Sequence, residues 1–374
     1  TNPITRKQDM EQTPMKQIVE KFNILGDIEG VKPLGNGLIN STYKVNTVGK
    51  ETPDYVLQCI NHNVFPDVDM LMNNIIAVTD HIRKKLADQD DIERRCLRFI
   101  PLKDNDKKYY LFDGNAYWRV MVFIPDTITR EDVSPEGSYA AGEAFGDFQS
   151  MLADIPVELG ETIKDFHNME FRLQQLHDAV KENKAGRLDG VKDLLDEIES
   201  HAEKMTFAER LHREGKLPKR ICHCDTKVNN MLFDANTGLP LCVIDLDTVM
   251  PSFIFSDFGD FLRYAANASA EDEPDLSKVY FRMDIFEAFT KGYLKAGKAF
   301  LTKTEIENLP LAAELFPYMQ AVRFFADYLN GDTYFKTKYP EHNLVRTKAQ
   351  FKLFLSAQEH EEDMKNFIKA SMQA

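Results

Sequence analysis

The sequence has few cysteines, no long apolar run and a shortage of basic residues, and each of these excludes a class of protein. The five cysteines among 374 residues are a sparse and odd set, which indicates free thiols in a reducing compartment rather than a disulfide scaffold. No stretch approaches the roughly 18 apolar residues of a membrane span. Lys and Arg total 46 against 60 Asp and Glu, a formal charge of −14, which argues against a protein that coats nucleic acid or an anionic membrane.

What is present is the composition of a globular protein with a buried core. Hydrophobic residues make up 43% of the chain and charged residues 28%. The first nine residues are polar, so the cytoplasm is the expected location. A zinc site in the segment Cys222–Cys224 with Cys242 is disfavoured, because there is no C-x-x-C pair and a strand would point His223 away from its two neighbours.

The first third of the chain predicts an antiparallel sheet of about five strands. The turn Gly35-Asn36-Gly37 is a strong hairpin signal, because Asn and Gly tolerate positive φ. The predicted strands are residues 31–34, 41–45, 55–60, 98–101, 109–112 and 117–124, and the predicted helices lie near residues 16–23 and 68–86.

The rest of the chain predicts a helical region with one embedded strand pair. Residues 125–135 are polar and flanked by prolines, which predicts a hinge, and residues 231–233 and 241–244 predict a pair of strands. The outline is α+β: a small antiparallel-sheet N-terminal lobe, residues 1–124, and a larger, mainly helical C-terminal lobe, residues 125–374. Apolar stripes at helical spacing predict helices near residues 141–152, 191–205, 285–294, 312–329 (with Pro317 as a local break) and 349–372.

The embedded strand pair carries the most informative residues. His223 to Asn230 fit the pattern H-x-D-x-x-x-x-N, and an apolar strand further along ends in Asp245. Phosphoryl transfer needs one carboxylate to orient the attacking hydroxyl and accept its proton, and an Asn and a second Asp to hold magnesium against the phosphates. Asp225 fits the first role, and Asn230 and Asp245 fit the second.

The charges around this motif favour a divalent cation. From Asp225 to Asp260 there are six Asp residues and one basic residue, Lys227. Carboxylates that converge without counterions repel one another, whereas a divalent cation makes the cluster attractive. Oxygen ligands favour magnesium or manganese over zinc. Asp247 is either a second metal ligand or a solvated turn residue.

Other residues near the motif have structural interpretations. We expect His223 to brace the loop by hydrogen bonding. Asp257 and Asp260 either cap the following helix or anchor the loop. The turn Gly35–Gly37 is either a plain hairpin or a cover for a triphosphate, whose oxygens its backbone N–H groups would bind. No G-x-x-x-x-G-K-[ST] segment occurs, which excludes a P-loop NTPase.

These features resemble the aminoglycoside phosphotransferase and choline kinase superfamily, which has a bilobed protein-kinase-like fold. The chain is also similar, over most of its length, to bacterial N-acetylhexosamine 1-kinases. The resemblance implies ATP and magnesium as cofactors and a small-molecule sugar as the partner. The similar stretches are residues 35–43, 56–61, 63–66, 117–119, 223–230, 244–251 and 331–336.

The resemblance implies a role for each matching residue. Asp225 would be the catalytic base, and Asn230 and Asp245, with Asp247 as a further candidate, would bind magnesium. The remaining implied residues are Gly35, Asn36 and Gly37 over the phosphates, Val122, Phe123 and Ile124 as the hinge strand that grips adenine, and Arg323, Tyr334 and Tyr264 at the sugar. The three sugar candidates are also ordinary core or surface residue types.

The sequence departs from the superfamily at one position. The third strand commonly carries a Lys or Arg that pairs with the nucleotide phosphates, and Gln58 stands there in this chain. Gln can donate a hydrogen bond to phosphate but supplies no charge. Lys227 either provides the missing cation near Asp225 or is a solvated loop lysine.

The sequence therefore predicts a kinase that phosphorylates the anomeric hydroxyl of N-acetylglucosamine or N-acetylgalactosamine. Choline, homoserine, a methylthio-sugar or an aminoglycoside is the alternative acceptor. A catalytically inactive kinase-like binding module is the alternative from another class. The missing lysine of the third strand favours that module, and the intact set of Asp225, Asn230 and Asp245 opposes it.

Overall fold

The computed structural model describes residues 14–35 and 41–374, which form two compact units. Unit 1 comprises the described residues up to Ile128 together with Ile155–Ile163 and Leu232–Asp247. Unit 2 comprises Thr129–Asp154, Lys164–Met231 and Thr248–Ala374. Two short segments of the predicted C-terminal lobe thus pack with the N-terminal residues, while the assignment of functions to the two lobes stays a prediction.

The described residues form the predicted α+β fold class, with an antiparallel sheet in the N-terminal part and a mainly helical C-terminal part. Within the same ranges, every helix is too short or too polar to cross a bilayer. The strands are β1 (Ile28–Pro33), β2 (Ser41–Thr47), β3 (Tyr55–Ile60), β4 (Leu111–Phe112), β5 (Tyr117–Val122), β6 (Thr127–Ile128), β7 (Arg220–Cys222), β8 (Met231–Asp234), β9 (Pro240–Val243) and β10 (Met250–Ser252). The helices are α1 (described part, residues 14–19), α2 (Val68–Lys85), α3 (Ile92–Arg95), α4 (Pro135–Leu152), α5 (Met169–Glu182), α6 (Lys192–Glu199), α7 (Ala202–Met205), α8 (Phe207–Arg213), α9 (Phe255–Ala265), α10 (Met283–Gly297), α11 (Lys303–Glu307), α12 (Leu309–Leu329), α13 (His342–Glu359) and α14 (Glu361–Gln373).

Unit 1 is built around a five-stranded antiparallel sheet in the order β1-β2-β3-β5-β4. Its buried face includes Val45, Leu57 and Val120, which are each fully buried. The predicted strand at residues 98–101 is wrong: Phe99 makes only an isolated bridge to Met121. Pro101 has no N–H to donate, so the ladder cannot continue along this segment.

A second, three-stranded sheet in unit 1 has the order β6-β8-β9. It confirms the predicted pairing of the strands at residues 231–233 and 241–244. Arg94 of α3 fixes this sheet, because its guanidinium donates to the carboxylate of Asp234 at 2.7 Å and to the carbonyl oxygens of Pro125 and Asp126 at 3.1 Å. The pair ends next to Asp245, whose φ of 58° lies in the left-handed region.

Unit 2 is helical, and three of its predicted helices differ in the structure. The predicted helix at residues 191–205 is two helices, α6 and α7. Helix α12 continues through Pro317 instead of breaking there, because nearly the whole helix is buried and tertiary packing compensates for the missing N–H of the proline. The predicted helix at residues 349–372 is two helices, α13 and α14, that meet at His360. The apolar stripe continues through this bend, so periodicity alone did not reveal it.

The five cysteines are all unpaired thiols in the described structure. Cys96, Cys222, Cys224 and Cys242 are buried, and Cys59 is half-buried on β3. Burial raises the pKa of every one of these thiols, that of Cys96 to about 11.

Helices α4 and α10 approach each other through glycines. A Cβ atom on Gly142 would overlap the carbonyl oxygen of Phe289, and a Cβ atom on Gly292 would overlap that of Tyr139. Both overlaps are with backbone, which cannot move aside as a side chain can. The two helices therefore depend on the absence of side chains at these positions.

We expect Gly292→Ala to lower the free energy of unfolding by about 1 to 3 kcal/mol, because overpacking outweighs the ~1 kcal/mol that alanine adds through helix propensity. Urea unfolding of the variant measures this loss. Gly190→Ala is the control, since a Cβ atom there meets nothing within 4 Å. Equal unfolding midpoints for the two variants would contradict the close packing.

Candidate active site

The segment His223–Asn230 is a loop of unit 2 that follows β7. Strand β7 pairs antiparallel with β10, with Cys222 opposite Met250. Cys224 takes a left-handed φ of 69°, which turns the chain sharply before Asp225. A short 3₁₀ turn, Val228–Asn230, then leads into β8.

A buried carboxylate, Asp257, fixes the start of this loop. It accepts hydrogen bonds from the backbone N–H of His223 at 3.0 Å and of Cys224 at 2.8 Å, and from the amide of Gln149 at 2.9 Å. The hydroxyl of Thr226 donates to the carbonyl oxygen of Asp257 at 2.7 Å. Burial raises the pKa of Asp257, whereas these N–H donors and the nearby His223 lower it. Asp257 therefore anchors the loop.

The alternative in which Asp257 and Asp260 cap the following helix is wrong. Both lie inside α9, and the residue before that helix, Ile254, makes no side-chain capping bond. Asp260 is buried and lies 3.5 Å from Arg263 one turn further along the helix. Helix α9 begins at Phe255, two residues before Asp257. Neither Asp257 nor Asp260 therefore stands at the capping position before the helix.

His223 braces the loop, as its spacing predicts. Its side chain is fully buried against the rings of Phe145 and Phe148. Nδ1 accepts a hydrogen bond from the backbone N–H of Asp225 at 3.1 Å, and the carbonyl oxygen accepts one from Thr248 Oγ1 at 2.7 Å. The backbone on both sides of Cys224 is thus held.

Asp225 lies at the partly exposed edge of this braced loop. Its side chain is 21% exposed, and one carboxylate oxygen lies 3.9 Å from Lys227 Nζ. The amide nitrogen of Asn230 donates to the carbonyl oxygen of Asp225 at 2.8 Å, so the two ends of the motif are directly joined. The role of Asp225 as the catalytic base stays a prediction.

Lys227 and Tyr264 form a charged and aromatic group beside Asp225. The ammonium of Lys227 lies 5.4 Å from the centre of the Tyr264 ring, and the guanidinium of Arg263 lies 4.0 Å from it. Burial lowers the pKa of Lys227, but Asp225, Tyr264 and Asp260 raise it further, so the pKa lies above its usual value. Burial raises the pKa of Asp260 to about 6, with Arg263 acting against this shift and Asp225 adding to it. Lys227 is therefore a paired cation and not a solvated loop lysine.

Arg323 and Tyr334, predicted from distant parts of the sequence, lie together in unit 2. The guanidinium of Arg323 is 5.9 Å from the Tyr334 ring and 5.4 Å from each of the rings of Phe166 and Phe335. Tyr334 is 61% exposed. Burial lowers the pKa of Arg323, whereas the nearby Tyr334, Tyr264 and Asp260 raise it. The predicted residues Tyr264, Arg323 and Tyr334 thus belong to one electrostatic neighbourhood, and whether they bind a sugar stays a prediction.

A second arginine, Arg172, belongs to this neighbourhood and was missed by the sequence analysis. Its guanidinium donates to the carbonyl oxygen of Phe166 at 2.9 and 3.1 Å and to Gln175 at 2.9 Å. Burial and then Arg323 lower the pKa of Arg172 to about 9. Burial, followed by the charges of Arg323 and Arg172, holds the pKa of His167 well below its usual value. No motif marks Arg172, which comes from α5.

A buried carboxylate, Asp327, shapes the turn that carries Tyr334. It accepts from the backbone N–H of Tyr334 at 2.9 Å and of Phe335 at 3.0 Å, and from the amide of Asn343 at 2.8 Å. The signal in the sequence was an Asp near the end of the mostly apolar helix α12, thirteen residues after the other acid of the helix, Glu314. A buried acid needs hydrogen-bond donors, and the turn provides them for Asp327.

In unit 1, Gln58 and Asp247 meet the same arginine. Arg119 of β5 donates through Nε to Gln58 Oε1 at 2.8 Å, and through its two terminal nitrogens to Asp247 at 2.5 and 3.0 Å. The Asp247 side chain is 2% exposed, so the solvated-turn alternative for this residue is wrong. The sequence analysis did not identify Arg119.

The predicted nucleotide residues of unit 1 are only partly described. Asn36 and Gly37 lie outside the described residues, and Gly35 has the positive φ of 65° expected of the turn. The backbone N–H groups of Val122 and Phe123 already donate, to the carbonyl oxygens of Arg98 and Asp54 at 2.9 Å each. Neither of these N–H groups is therefore open to an adenine ring.

The predicted metal ligands have the right chemistry for magnesium. Since the amide nitrogen of Asn230 is bonded to Asp225, its oxygen is the atom that a cation would use. Asp245 is exposed and lies two residues after the end of β9. Among residues 14–35 and 41–374, no group of three or more His, Cys, Asp or Glu side chains is placed to hold a metal. Magnesium needs no such cage, because it commonly binds through one or two carboxylates and keeps water and substrate phosphates as its other ligands.

We expect Asp257→Asn to loosen the start of the loop, because one carboxylate oxygen is replaced by an N–H₂ group that cannot accept. A charged, buried hydrogen bond contributes about 1.5 to 3 kcal/mol, so amide hydrogen exchange at His223 and Cys224 should become roughly 10- to 100-fold faster. Mass-spectrometric hydrogen exchange measures this. Asp275→Asn, at an exposed turn, is the control, and unchanged exchange at Cys224 in the Asp257 variant would refute the anchor.

Comparison with known proteins adds an independent finding. The family model described as "Phosphotransferase enzyme family" (APH) matches residues 30–294, well over half of the chain. The match covers β1 to β10, the loop with Asp225 and most of α10.

Solved structures of phosphotransferases share the fold over nearly the whole chain. An aminoglycoside phosphotransferase from Alicyclobacillus acidocaldarius matches with a TM-score of 0.59 at 11% identity, over 96% of each chain. A choline kinase from Cryptosporidium parvum matches with a TM-score of 0.58 at 15% identity, over 94% of this chain and 96% of that chain. An amicoumacin kinase in complex with AMP-PNP, Ca²⁺ and Ami matches with a TM-score of 0.56 at 13% identity, over 96% and 95%.

At 11% and 15% sequence identity, the solved structures show a shared fold and no more. They confirm the predicted protein-kinase-like fold. ATP with magnesium fits the family, as the sequence predicts. Taken with the H-x-D-x-x-x-x-N loop and the match over residues 30–294, the fold leads to one conclusion: the chain belongs to the APH phosphotransferase enzyme family.

Proposed function

We propose that the protein is an ATP- and magnesium-dependent kinase that phosphorylates the anomeric hydroxyl of N-acetylglucosamine or N-acetylgalactosamine. The observation that supports a neutral sugar is the pair of arginines, Arg172 and Arg323, next to the exposed ring of Tyr334. The resemblance of the sequence to N-acetylhexosamine 1-kinases supports the same acceptor.

The arginine pair disfavours a cationic acceptor. Choline and aminoglycosides, named in two of the structurally similar proteins, carry positive charge. After burial, the charge of Arg323 lowers the pKa of Arg172, and the charge of Arg263 lowers the pKa of Arg323. These arginines would repel a cationic acceptor. Choline or an aminoglycoside would therefore need more acidic surroundings than these residues provide.

A neutral N-acetylhexosamine suits the same residues. Guanidinium groups only donate hydrogen bonds, and the hydroxyl and acetyl oxygens of the sugar accept them. The apolar face of a pyranose and the acetyl methyl group can pack on aromatic rings such as those of Tyr334 and Phe335. Asp327 would keep the turn with these two rings in place.

Phosphoryl transfer would then depend on positioning. Asp225 would orient the anomeric hydroxyl and accept its proton as the oxygen bonds to the γ-phosphorus of ATP, and ADP would leave with the electrons of the broken P–O bond. His223 and Asp257 would hold Asp225 at a fixed place through the backbone, and the ammonium of Lys227 lies 3.9 Å from its carboxylate. Magnesium, when bound, would offset charge on the transferring group, and Asn230 and Asp245 are, each by itself, its candidate ligands from the sequence.

The nucleotide would use residues of unit 1. The turn Gly35–Gly37 would cover the phosphates, and the side-chain amide of Gln58 would donate to them. Of the hinge strand Val122–Ile124, the N–H of Ile124 would serve adenine, because the two preceding N–H groups are bonded within the sheet.

Replacing Asp225 with Asn should remove the base and leave the fold in place. General-base catalysis contributes about 10²- to 10⁴-fold, so turnover should fall by at least about 10²-fold while the Kd of AMP-PNP changes little. Asp189→Asn, at an exposed site in unit 2, serves as the control. Near-normal turnover of the Asp225 variant would show that another residue is the base.

A panel of acceptors in a coupled ADP assay should favour N-acetylhexosamines over glucosamine, choline and kanamycin, because the arginines repel a cationic acceptor. We expect a preference of about tenfold or more, which corresponds to about 1.4 kcal/mol. Phosphorus NMR of the product should show a sugar 1-phosphate. Preference for choline or kanamycin would overturn the sugar assignment. Binding of magnesium–ATP without ADP release from any acceptor would instead favour an inactive binding module.

A further inference from the structure

Arg119 lies at the centre of a buried hydrogen-bonded chain in unit 1. It is 2% exposed and contacts Gln58 of β3 and Asp247 after β9. Gln58 in turn donates through Nε2 to Thr42 Oγ1 at 3.3 Å, and the carbonyl oxygen of Asp247 accepts from Thr162 Oγ1 at 2.8 Å. Side chains of β3 and of the segment after β9 thus meet at the guanidinium of Arg119, and Thr42 of β2 is joined to it through Gln58.

The direction of the hydrogen bonds fixes which way the side-chain amide of Gln58 is oriented. A guanidinium has donors but no acceptor, so the oxygen of Gln58 must face Arg119 and the N–H₂ group must face the other way, towards Thr42. Thr42 is the second residue of β2, which follows the Gly35–Gly37 turn in the chain. Among the described residues, Thr42 is the one hydrogen-bond acceptor of this amide, so its second N–H is the candidate donor to a phosphate.

The guanidinium of Arg119 also binds the carboxylate of Asp247. Both carboxylate oxygens accept from it, at 2.5 and 3.0 Å, in a two-pronged pair buried on both sides. A magnesium ion on these oxygens would have to share them with a positive charge that cannot be neutralised, since arginine stays protonated in proteins. The pair leaves Asp245, two residues earlier, as the candidate metal ligand of the D-L-D segment.

We propose that Arg119 is a positioning residue for nucleotide binding: it presents the amide of Gln58 as a phosphate donor and holds Asp247 as an anchor, not as a metal ligand. The inference rests on the proposed function, because it presumes that unit 1 binds ATP. It also accounts for the missing lysine of the third strand. The positive charge comes from Arg119 on the neighbouring strand β5 and acts through a neutral amide.

Gln58→Glu tests the first half of the proposal. Glutamate has the same shape and keeps an oxygen for Arg119, but it cannot donate to phosphate and adds a negative charge there. We expect AMP-PNP to bind about tenfold more weakly or worse in calorimetry, with the melting temperature unchanged. Gln174→Glu, the same change at an exposed position of α5, should bind AMP-PNP like the native protein. Native affinity in Gln58→Glu would overturn the proposal.

Asp247→Asn tests the second half. We expect the Kd of Mn²⁺ in the complex with AMP-PNP, measured by electron paramagnetic resonance, to stay within about twofold of the native value. A loss of about tenfold would make Asp247 a metal ligand and overturn the proposal. If the buried Arg119, left without its counterion, prevents this variant from folding, Asp245→Asn replaces it: we expect the Kd of Mn²⁺ to rise by about tenfold, and an unchanged Kd would overturn the assignment of the metal ligand to Asp245.

These measurements need no acceptor, so a wrong sugar assignment leaves them unaffected. Failure of the native protein to bind AMP-PNP would overturn the proposed function, and this inference with it. Native binding combined with an unaffected Gln58→Glu variant would overturn the role of Arg119 alone.

Discussion

The geometry of the candidate site depends on one buried carboxylate that accepts hydrogen bonds from the protein backbone. Asp257 takes the N–H groups of two successive residues, His223 and Cys224, just where the chain turns through a left-handed conformation. Such a conformation is costly unless its surroundings hold it. The next residue is Asp225, so the position of that carboxylate is set by a neighbour that need not touch any substrate.

Similar buried anchors hold two more of the residues that the sequence predicts to be functional. Asp327 holds the backbone under Tyr334, and Arg119 holds the amide of Gln58. In each case a charged group is buried against the fixed dipoles or charges that compensate it. The exposed side chains can therefore stay in place without rigid contacts of their own, and they remain accessible to a ligand.

The motif residues were predictable from the sequence because their spacing is local, whereas the anchors come from distant segments. Asp225 and Asn230 are five residues apart and are joined in the structure as the motif suggests. Arg119 and Asp247 are 128 residues apart, and no periodicity connects them. Local rules also fail where packing overrides them: Pro317 did not interrupt its helix, because tertiary contacts surround it. The sequence predicted β3 to its ends and β2 to within two residues, whereas β1 begins three residues before the predicted strand.

The burial of the five cysteine side chains, complete for four and partial for Cys59, has a practical consequence for labelling. A thiol reacts with alkylating reagents as its thiolate, and in this fold burial keeps all five in the protonated form at neutral pH. A single cysteine introduced on the surface would consequently be the preferred point of attachment for a maleimide dye. Pairs of such labels, one in each compact unit, would make fluorescence energy transfer between the units accessible without first removing the natural cysteines.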